Sequence, residues 1–320
     1  MSKLATVFGA SGFLGRHVVR ELTTRGWRVR AAVRRPYLAE HLQVFGVPGQ
    51  VQLFQANVRY PASIEDALRG ADAVVNLVGL LAETGKQTFD GVQRDGAANV
   101  ARACAAADIA RLVHVSAIGA DERAASDYAR TKGQAERAVR EAVPEAVILR
   151  PSIVFGPQDD FFNRFGAMAR LSPALPLIGG GKTRFQPVYV DDVADAVCAA
   201  LENPAHAGRT FELGGPEVMN FKELMQFLLR IVDRRRVLVP LPFGAAGLMG
   251  RAGDLASRLP FVQAPITADQ VELLKADNVV GDDALTLRDL GVKPTTMDAV
   301  LPSYLYRYRK HGQFSPEVPV

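Results

Sequence analysis

The segment Leu4-Ala-Thr-Val-Phe-Gly-Ala-Ser-Gly-Phe-Leu-Gly15 decides the fold of this 320-residue chain. It begins as a short apolar strand, passes through three glycines and continues with the apolar spacing of a helix. Glycines at such positions permit a tight turn, a close ligand approach and close packing of helix on strand, while the helix N-terminus offers unpaired N–H groups to a phosphate. We therefore expect a dinucleotide pyrophosphate to contact this turn, through Gly9, Ser11, Gly12, Phe13, Leu14 and Gly15.

The rest of the first half alternates short apolar runs with longer amphipathic ones. The runs predict strands over 4–8, 28–33, 51–55, 73–78, 111–116 and 146–150, and helices over 13–25, 63–69, 88–107 and 127–142. Runs such as 73–78 are apolar on both faces, as strands covered on both sides should be. The pattern predicts an α/β protein with a Rossmann-type, doubly wound parallel sheet and a smaller C-terminal lobe.

After Arg150-Pro151 the pattern loosens into loops rich in glycine and proline. A helix is expected from Asp191 onward, and further helical stretches over 221–233, 244–258 and 267–275. We expect residues 1–157 plus 183–215 to form the dinucleotide-binding domain, and residues 158–182 plus 216–320 to form the smaller lobe that meets a substrate or partner.

Composition excludes several other classes of protein. The chain is 48% hydrophobic and 22% charged, which is typical of a soluble globular protein. Cys104 and Cys198 lie in alanine-rich patterns, and the five histidines show no ligand spacing, so neither a disulfide framework nor a metal site is predicted. The net charge of +4 lacks the dense basic stretches with stacking aromatics that indicate nucleic-acid binding. A strand beginning at Leu4 leaves no room for an export signal, so we expect a cytoplasmic location.

The second predicted strand ends in Arg34-Arg35, where an acidic residue would otherwise accept hydrogen bonds from the adenosine ribose. A guanidinium at this position pairs with a 2′-phosphate, which favours NADPH (NADP+) over NAD(H), although surface arginines after a strand are also common. Two further pairs complete the expected cofactor contacts. These are Asn57 and Val58 beside the adenine, and Val78 and Gly79 beneath the adjoining ribose and pyrophosphate.

Tyr128 and Lys132 are four residues apart in a segment opened by Ser126 and Asp127, so both side chains share one helical face. An ammonium beside a phenol favours the phenolate and also hydrogen-bonds a ribose. The pair is therefore the candidate catalytic site and a further cofactor contact. An isolated Tyr-x-x-x-Lys also occurs by chance in helices, but here it follows a strand after the glycine turn.

These motifs together resemble the short-chain dehydrogenase/reductase superfamily, in its extended and atypical branches. The similarity runs nearly end to end, through Tyr128–Lys132, Leu149-Arg-Pro-Ser-Ile-Val-Phe-Gly-Pro157, Pro187-Val-Tyr-Val-Asp-Asp-Val193 and Phe211-Glu-Leu-Gly-Gly-Pro216. The resemblance adds Ser116, Pro151 and Ile153 to the expected cofactor contacts. Within the superfamily, the segments 269–280, 290–294 and 301–309 resemble the NADPH-binding accessory subunit of respiratory complex I and its bacterial relatives. That resemblance implies a role in assembly and stability, with complex I subunits as partners; relatives in other lineages are linked to ubiquinone synthesis.

One position departs from the superfamily pattern. The strand before the Tyr128 segment normally ends in a hydroxyl residue that stabilises charge on the substrate oxygen, and here that position is Ala117. Ser116 lies one residue too early, and Ser116 or Ser126 would have to substitute. Two classes therefore stay open: an NADPH-holding structural subunit, and an NADPH-dependent oxidoreductase or epimerase that acts on a quinone-like or sugar-like substrate.

Residues 234–258 carry the remaining signal for a partner. Arg234-Arg-Arg236 precedes the apolar stretch 237–250, which Arg251 closes. The stretch is too short to span a bilayer, but basic residues flanking an apolar helix suit contact with an anionic membrane surface or a protein. We expect a peripheral location on the cytoplasmic face of the inner membrane; the alternative is a helix packed on its own core. The tail 304–309 is either a docking strand or a cap of the small lobe.

Overall fold

The computed structural model describes residues 2–256 and 266–314. The chain divides into two compact units. The first unit comprises Met1–Pro151, Val190–Leu213 and Asp282–Lys293, and the second comprises Ser152–Tyr189, Gly214–Gly281 and Pro294–Val320.

A seven-stranded parallel sheet forms the centre of the first unit. Its strands are β1 (Leu4–Phe8), β2 (Arg28–Val33), β3 (Val51–Gln55), β4 (Ala73–Asn76), β5 (Leu112–Val115), β6 (Val147–Pro151) and β11 (Thr210–Leu213). The order across the sheet is β11-β6-β5-β4-β1-β2-β3, so the winding reverses at β1, between β2 and β4. Every residue of β1, β4 and β5 is buried, which means that both faces of these strands are covered. The predicted doubly wound parallel sheet is confirmed.

Helices cover this sheet. They are α1 (Phe13–Thr24), α2 (Pro61–Leu68), α3 (Asp95–Ala106), α4 (Asp127–Ala142) and α6 (Val190–Glu202). Helices α2, α3 and α4 share one apolar core with the strands, which includes Phe8, Val74 and Leu112. Helices α1 and α6 pack on each other, and Asp191 of α6 accepts hydrogen bonds from His17 and Arg20 of α1 at 2.5 Å each.

Among the predicted elements whose bounds differ in the structure, two lie beside the glycine turn or the Tyr128 segment and bear on the site. The predicted helix over 88–107 is a π-helical turn, Phe89–Arg94, followed by α3. The predicted strand over 73–78 ends at Asn76, whose side-chain oxygen accepts a hydrogen bond from the backbone N–H of Val78 at 3.1 Å. This contact turns the backbone away from the sheet, so Val78 lies in the loop.

The second unit is built around α5 (Phe161–Leu171) and α7 (Phe221–Ile231). Its strands form three two-stranded sheets: β7 (Val154–Phe155) with β10 (Val188–Tyr189), β9 (Arg184–Phe185) with β12 (Met219–Asn220), and β8 (Ala174–Ile178) with β13 (Val237–Leu241). Short helices follow, namely α8 (Phe243–Ala256), α9 (Ala268–Leu273), α10 (Met297–Val300) and α11 (Pro302–Leu305). Its core is rich in aromatic rings, among them Phe155, Phe162 and Phe221.

The carboxy-terminal tail packs on the second unit. Tyr304 and Leu305 are buried in its core. The guanidinium of Arg309 donates to the Ile231 carbonyl at 2.7 Å, and that of Arg234 donates to the Tyr308 carbonyl at 2.7 Å. The tail therefore has the capping role that the sequence left as one of two alternatives.

Helix α8 has two different faces. Ala246 is buried in a small cluster with Ile178 and Val271, whereas the side chains of Leu248 and Met249 are 68% and 53% exposed. Part of the predicted segment 244–258, residues 257 and 258, lies outside the described residues. Within 2–256 and 266–314, no helix has the length and hydropathy needed to cross a bilayer.

The observed units differ from the predicted domain division at several boundaries. Residues 152–157, 183–189 and 214–215 belong to the second unit, where β7 pairs with β10 and β9 pairs with β12. Residues 282–293 belong to the first unit, because Leu285 bridges to Phe211 of β11 and its carbonyl accepts the N–H of Glu212 at 2.8 Å. These pairings join residues far apart in the chain, which sequence periodicity does not report.

Candidate dinucleotide-binding site

The turn between β1 and α1 has the geometry that its glycines predict. Gly9 adopts a φ of +83°, in the left-handed region, and its carbonyl accepts the N–H of Gly12 at 3.0 Å. A Cβ added at Gly15 would lie 2.1 Å from the Gly9 oxygen and 2.6 Å from the Ala10 oxygen, so α1 approaches the turn more closely than any side chain allows. Among the residues that the structure describes, no side chain caps the N-terminus of α1, and the first turn of this helix has no acidic residue, which suits an anion there.

A cavity of about 360 Å³ lies at the carboxyl ends of β1 to β4. Most of the predicted adenosine and pyrophosphate contacts line it: Gly9, Ser11 and Gly12 after β1, Arg34 after β2, Asn57 and Val58 after β3, and Val78 and Gly79 after β4. The switch point of an α/β sheet is the usual place for a ligand in such folds. The structure thus brings these residues together around one concave site.

Only one of the two predicted arginines lines this cavity. Arg34 is part of the wall, whereas Arg35 is not. Arg34 lies at a bend directly after β2, and Arg35 directly precedes the 3-10 turn Pro36–Leu38. Both side chains are exposed, and neither has a hydrogen-bond or ion-pair partner among residues 2–256 and 266–314. Arg34 is therefore available to an anion in the cavity.

The other predicted cofactor contacts lie away from the cavity wall. Phe13 and Leu14 begin α1 with Gly15. Pro151 ends β6 and its carbonyl accepts the N–H of Ile118 at 3.1 Å. Ile153 belongs to the second unit and packs, partly buried, against the core of that unit.

Helix α4 presents the predicted Tyr–Lys pair. The Ser126 side chain caps the helix by accepting the N–H of Ala129 at 3.3 Å. Tyr128 is half-buried, with the ring of Phe89 edge-on at 6.0 Å. Lys132 is 4% exposed, and its Nζ donates to the Val115 carbonyl at 3.1 Å. A Cβ added at Gly79 would lie 3.2 Å from this Nζ, so the ammonium lies directly behind the cavity wall.

Burial sets the electrostatics of Lys132. Desolvation lowers its pKa to about 8, and the nearby Glu136 carboxylate raises the pKa only in part. Both oxygens of Glu136 are taken by the Arg150 guanidinium, at 2.9 Å and 2.7 Å. Burial, together with the Lys132 charge, lowers the pKa of His114 to about 3, so this imidazole is neutral at physiological pH.

The pKa of Lys132 predicts a pH-dependent stability. Because the folded value of about 8 is below the unfolded value of 10.5, the unfolded chain binds more protons between these two pH values, and the free energy of unfolding rises with pH there. We expect the wild type to gain about 2–3 kcal/mol relative to Lys132→Met between pH 8 and 10.5, measured by urea denaturation of both proteins. Parallel curves for the two proteins would contradict the lowered pKa.

The hydroxyl that active relatives place after β5 is absent from its expected position. Ala117 occupies that position and is half-buried. Ser116 is 3% exposed, and its Oγ is buried without a hydrogen-bond partner among the described residues. Ser116 does not line the cavity, and the Ser126 hydroxyl caps α4.

Arg59 and Gln93 are two of the polar residues of this region that were not predicted from the sequence. Arg59 lines the cavity after Val58. Gln93, which is 1% exposed in the π-helical turn, donates to the Thr131 hydroxyl at 3.0 Å and accepts the N–H of Leu80 at 3.1 Å. Gln93 thereby ties the loop after β4 to α4 beside Lys132. π-Helical turns often occur at functional sites, but apolar periodicity does not distinguish them from an α-helix.

Residues 5–214 match the family described as the NAD dependent epimerase/dehydratase family. The chain belongs to this family. The predicted membership of the extended short-chain dehydrogenase/reductase group is thus confirmed. The description of the epimerase/dehydratase family identifies a nicotinamide dinucleotide as the class of cofactor.

The chain is also similar to individual proteins and to individual solved structures. Mitochondrial NADH dehydrogenase (ubiquinone) 1 alpha subcomplex subunit 9 is 36% identical in Arabidopsis thaliana, over 97% of this chain and 79% of that protein. The same subunit of Mus musculus is 35% identical, over 98% of this chain and 83% of that protein. The fold is similar to that of an NADPH-dependent quinone oxidoreductase from Escherichia coli in complex with NADPH, with a TM-score of 0.72 at 20% identity over 94% of this chain and 99% of that one.

Proposed function

We propose that this epimerase/dehydratase family member holds NADP(H) and acts as an accessory or assembly subunit of respiratory complex I, with little or no hydride transfer of its own. The observation that carries the cofactor proposal is Arg34. Its guanidinium is exposed, has no partner among the described residues and lies in the cavity wall beside the glycine turn. A dinucleotide with an additional phosphate on the adenosine ribose complements this charge.

The cavity fits the rest of such a cofactor. Its volume of about 360 Å³ is within the range of small-molecule sites, which starts near ~300 Å³. The uncapped N–H groups of α1 and the glycine turn suit the pyrophosphate. Lys132, behind Gly79, and Tyr128 on the same helix suit the ribose of the nicotinamide half. When bound, the cofactor supplies a hydride donor or acceptor, and the protein supplies its orientation.

The arrangement around Ala117 supports a chain that holds the cofactor without efficient turnover. Removing one donor to a developing oxyanion costs a factor of about 10²–10³ in rate. Ser116 is sealed from solvent and Ser126 is committed to the helix cap, so neither replaces the missing hydroxyl. The retained Tyr128 and Lys132 favour the second candidate, an NADP-dependent oxidoreductase or epimerase with a quinone-like or sugar-like substrate.

The similarity to subunit 9 over nearly the whole chain supports complex I subunits as partners. We place the protein in the bacterial cytoplasm, peripheral to the cytoplasmic face of the inner membrane. There its binding would stabilise assembled complex I, just as a bound cofactor stabilises the folded subunit that holds it.

Three measurements test this function together. Mass spectrometry of the small molecule released from the denatured chain should identify NADP(H), and the native chain should co-purify with complex I while failing to oxidise NADPH with quinones or carbonyl compounds. Turnover that disappears in Tyr128→Phe would favour the second candidate instead. Release of NAD(H) alone would overturn the NADP(H) assignment.

The exposed face of α8 supports contact with an anionic membrane surface through residues 234–258, of which 234–256 are described. Leu248 and Met249 are exposed beside Arg251, and Arg235 is exposed before β13. We expect the chain to float with vesicles that contain phosphatidylglycerol, and Leu248→Glu to reduce that binding about tenfold. Leu171→Glu is the matched control, because Leu171 is 81% exposed elsewhere in the second unit. Equal binding by both variants would exclude α8 as the contact.

A further inference from the structure

The loop over residues 80–88, which we call the 80–88 loop, forms part of the cavity wall through Leu80 and Gln87. It has few apolar anchors, since Leu81 is 62% exposed. Its tip is a small hairpin in which Thr84 and Gln87 exchange two backbone hydrogen bonds of 3.0 Å each around Gly85 at a φ of +57°. The 80–88 loop therefore has little apolar packing to hold it, and its position depends on individual polar contacts.

Three such contacts hold the 80–88 loop. Its start is fixed by Gln93, which accepts the Leu80 N–H at 3.1 Å. Its end is fixed by the Glu83 carboxylate, which accepts the Phe89 N–H at 2.7 Å. Its tip is fixed from outside the loop, because the Arg59 guanidinium donates to the Lys86 carbonyl at 2.8 Å.

Arg59 thus connects two parts of the cavity wall. It is half-buried, follows Asn57 and Val58 after β3, and lines the cavity itself. Its guanidinium also lies over the Tyr60 ring, at 5.7 Å from the centroid, which restricts its rotamers. The contact with Lys86 spans 27 positions of the chain, so it joins the turn after β3, where Asn57 and Val58 are the expected adenine contacts, to the tip of the 80–88 loop.

We propose that Arg59 is a latch that retains the dinucleotide by pinning the 80–88 loop over the adenosine end of the cavity. This inference rests on the proposed cofactor binding. Release then requires the loop to open and the bond between Arg59 and the Lys86 carbonyl to break, so Arg59 governs the dissociation rate. The adenosine end is common to NADPH and NADH, and the latch slows the release of both. Arg34 differs in this respect, because it distinguishes the two by the 2′-phosphate.

The test is the dissociation rate of each dinucleotide from the purified full-length chain, followed by stopped-flow fluorescence on dilution into excess unlabelled competitor. In Arg59→Met, which keeps the aliphatic stem but loses the donors, NADPH and NADH should both dissociate about tenfold faster, equivalent to about 1.4 kcal/mol. Association rates and the melting temperature should change little. Arg69→Met is the matched control, because the side chain of Arg69 is 81% exposed and forms an ion pair with Asp66, a neighbour on the surface, at 2.7 Å.

A second variant separates latching from simple charge attraction. Glu83→Ala removes the anchor at the end of the 80–88 loop and adds no negative charge, and it should also speed the release of both dinucleotides. If Arg59→Met affects NADPH far more than NADH, Arg59 contacts the additional phosphate and the latch is overturned. Unchanged rates in both variants overturn it while leaving cofactor binding intact. A wild type that binds neither dinucleotide overturns the proposed function and the latch together.

Discussion

Gly15→Ala is expected to destabilise the chain by about 3 kcal/mol and to weaken NADPH binding at least about 100-fold. The added methyl would lie 2.1 Å and 2.6 Å from the carbonyl oxygens of Gly9 and Ala10. Both are backbone atoms, so no side-chain rotation relieves the conflict and α1 must move away from the turn. That movement displaces the N–H groups proposed to hold the pyrophosphate. Urea denaturation and a fluorescence titration with NADPH measure the two effects.

The control for this substitution is Gly247→Ala in α8. A Cβ at Gly247 meets no atom within 4 Å, and alanine in an open helical position stabilises by about 0.5–1 kcal/mol relative to glycine. An equal loss of stability in both variants would show that the alanine substitution itself, rather than the contact between α1 and the turn, is responsible. Normal NADPH binding by Gly15→Ala would remove the glycine turn from the proposed site.

Arg34→Glu is expected to weaken NADPH binding by about 10²–10³-fold and to change NADH binding only a few-fold. The substitution removes charge-assisted hydrogen bonds, each worth about 1.5–3 kcal/mol, and places a carboxylate beside the phosphate. The same carboxylate can accept hydrogen bonds from an unmodified ribose, which protects NADH affinity. Isothermal titration calorimetry with each dinucleotide measures the change in preference.

Arg28→Glu provides the matched control for charge. Arg28 is exposed at the opposite end of β2, so its substitution alters the net charge equally but lies far from the carboxyl ends of the strands. It should reduce NADPH affinity only slightly, through long-range electrostatics that added salt removes. If Arg34→Glu weakens NADH as much as NADPH, Arg34 does not read the 2′-phosphate.

Much of the first unit could be predicted because its signals are local. The strands over 4–8, 28–33 and 51–55 and the helix over 127–142 have the predicted bounds. In the helix, Ser126 supplies the N-cap side chain that its position in the sequence indicates. Buried parallel strands are short, continuous apolar runs between turn residues, so the length of each run and the turn residues that bound it are sufficient to place them.

Features that depend on distant contacts could not be predicted in the same way. The π-helical turn that positions Gln93 keeps the apolar spacing of an ordinary helix, and its cause is a hydrogen-bond network with Leu80 and Thr131. No sequence pattern distinguishes Arg59 from other surface arginines. The turn after β3 is what brings Arg59 into the cavity wall. Arg34 lines the cavity and Arg35 does not, and this difference likewise depends on the path of the backbone after β2.

The pairing of Leu285 with Phe211 has a consequence for synthesis on the ribosome. Strand β11 forms one edge of the seven-stranded sheet, and its outer neighbour is encoded about 70 residues further on, a delay of roughly 4–14 s at ordinary translation rates. During that interval the N–H of Glu212 at this edge lacks the acceptor that the Leu285 carbonyl later supplies, and an unpaired edge strand invites strands from other chains. Premature termination between these two points would make that exposure permanent and the fragments prone to aggregation.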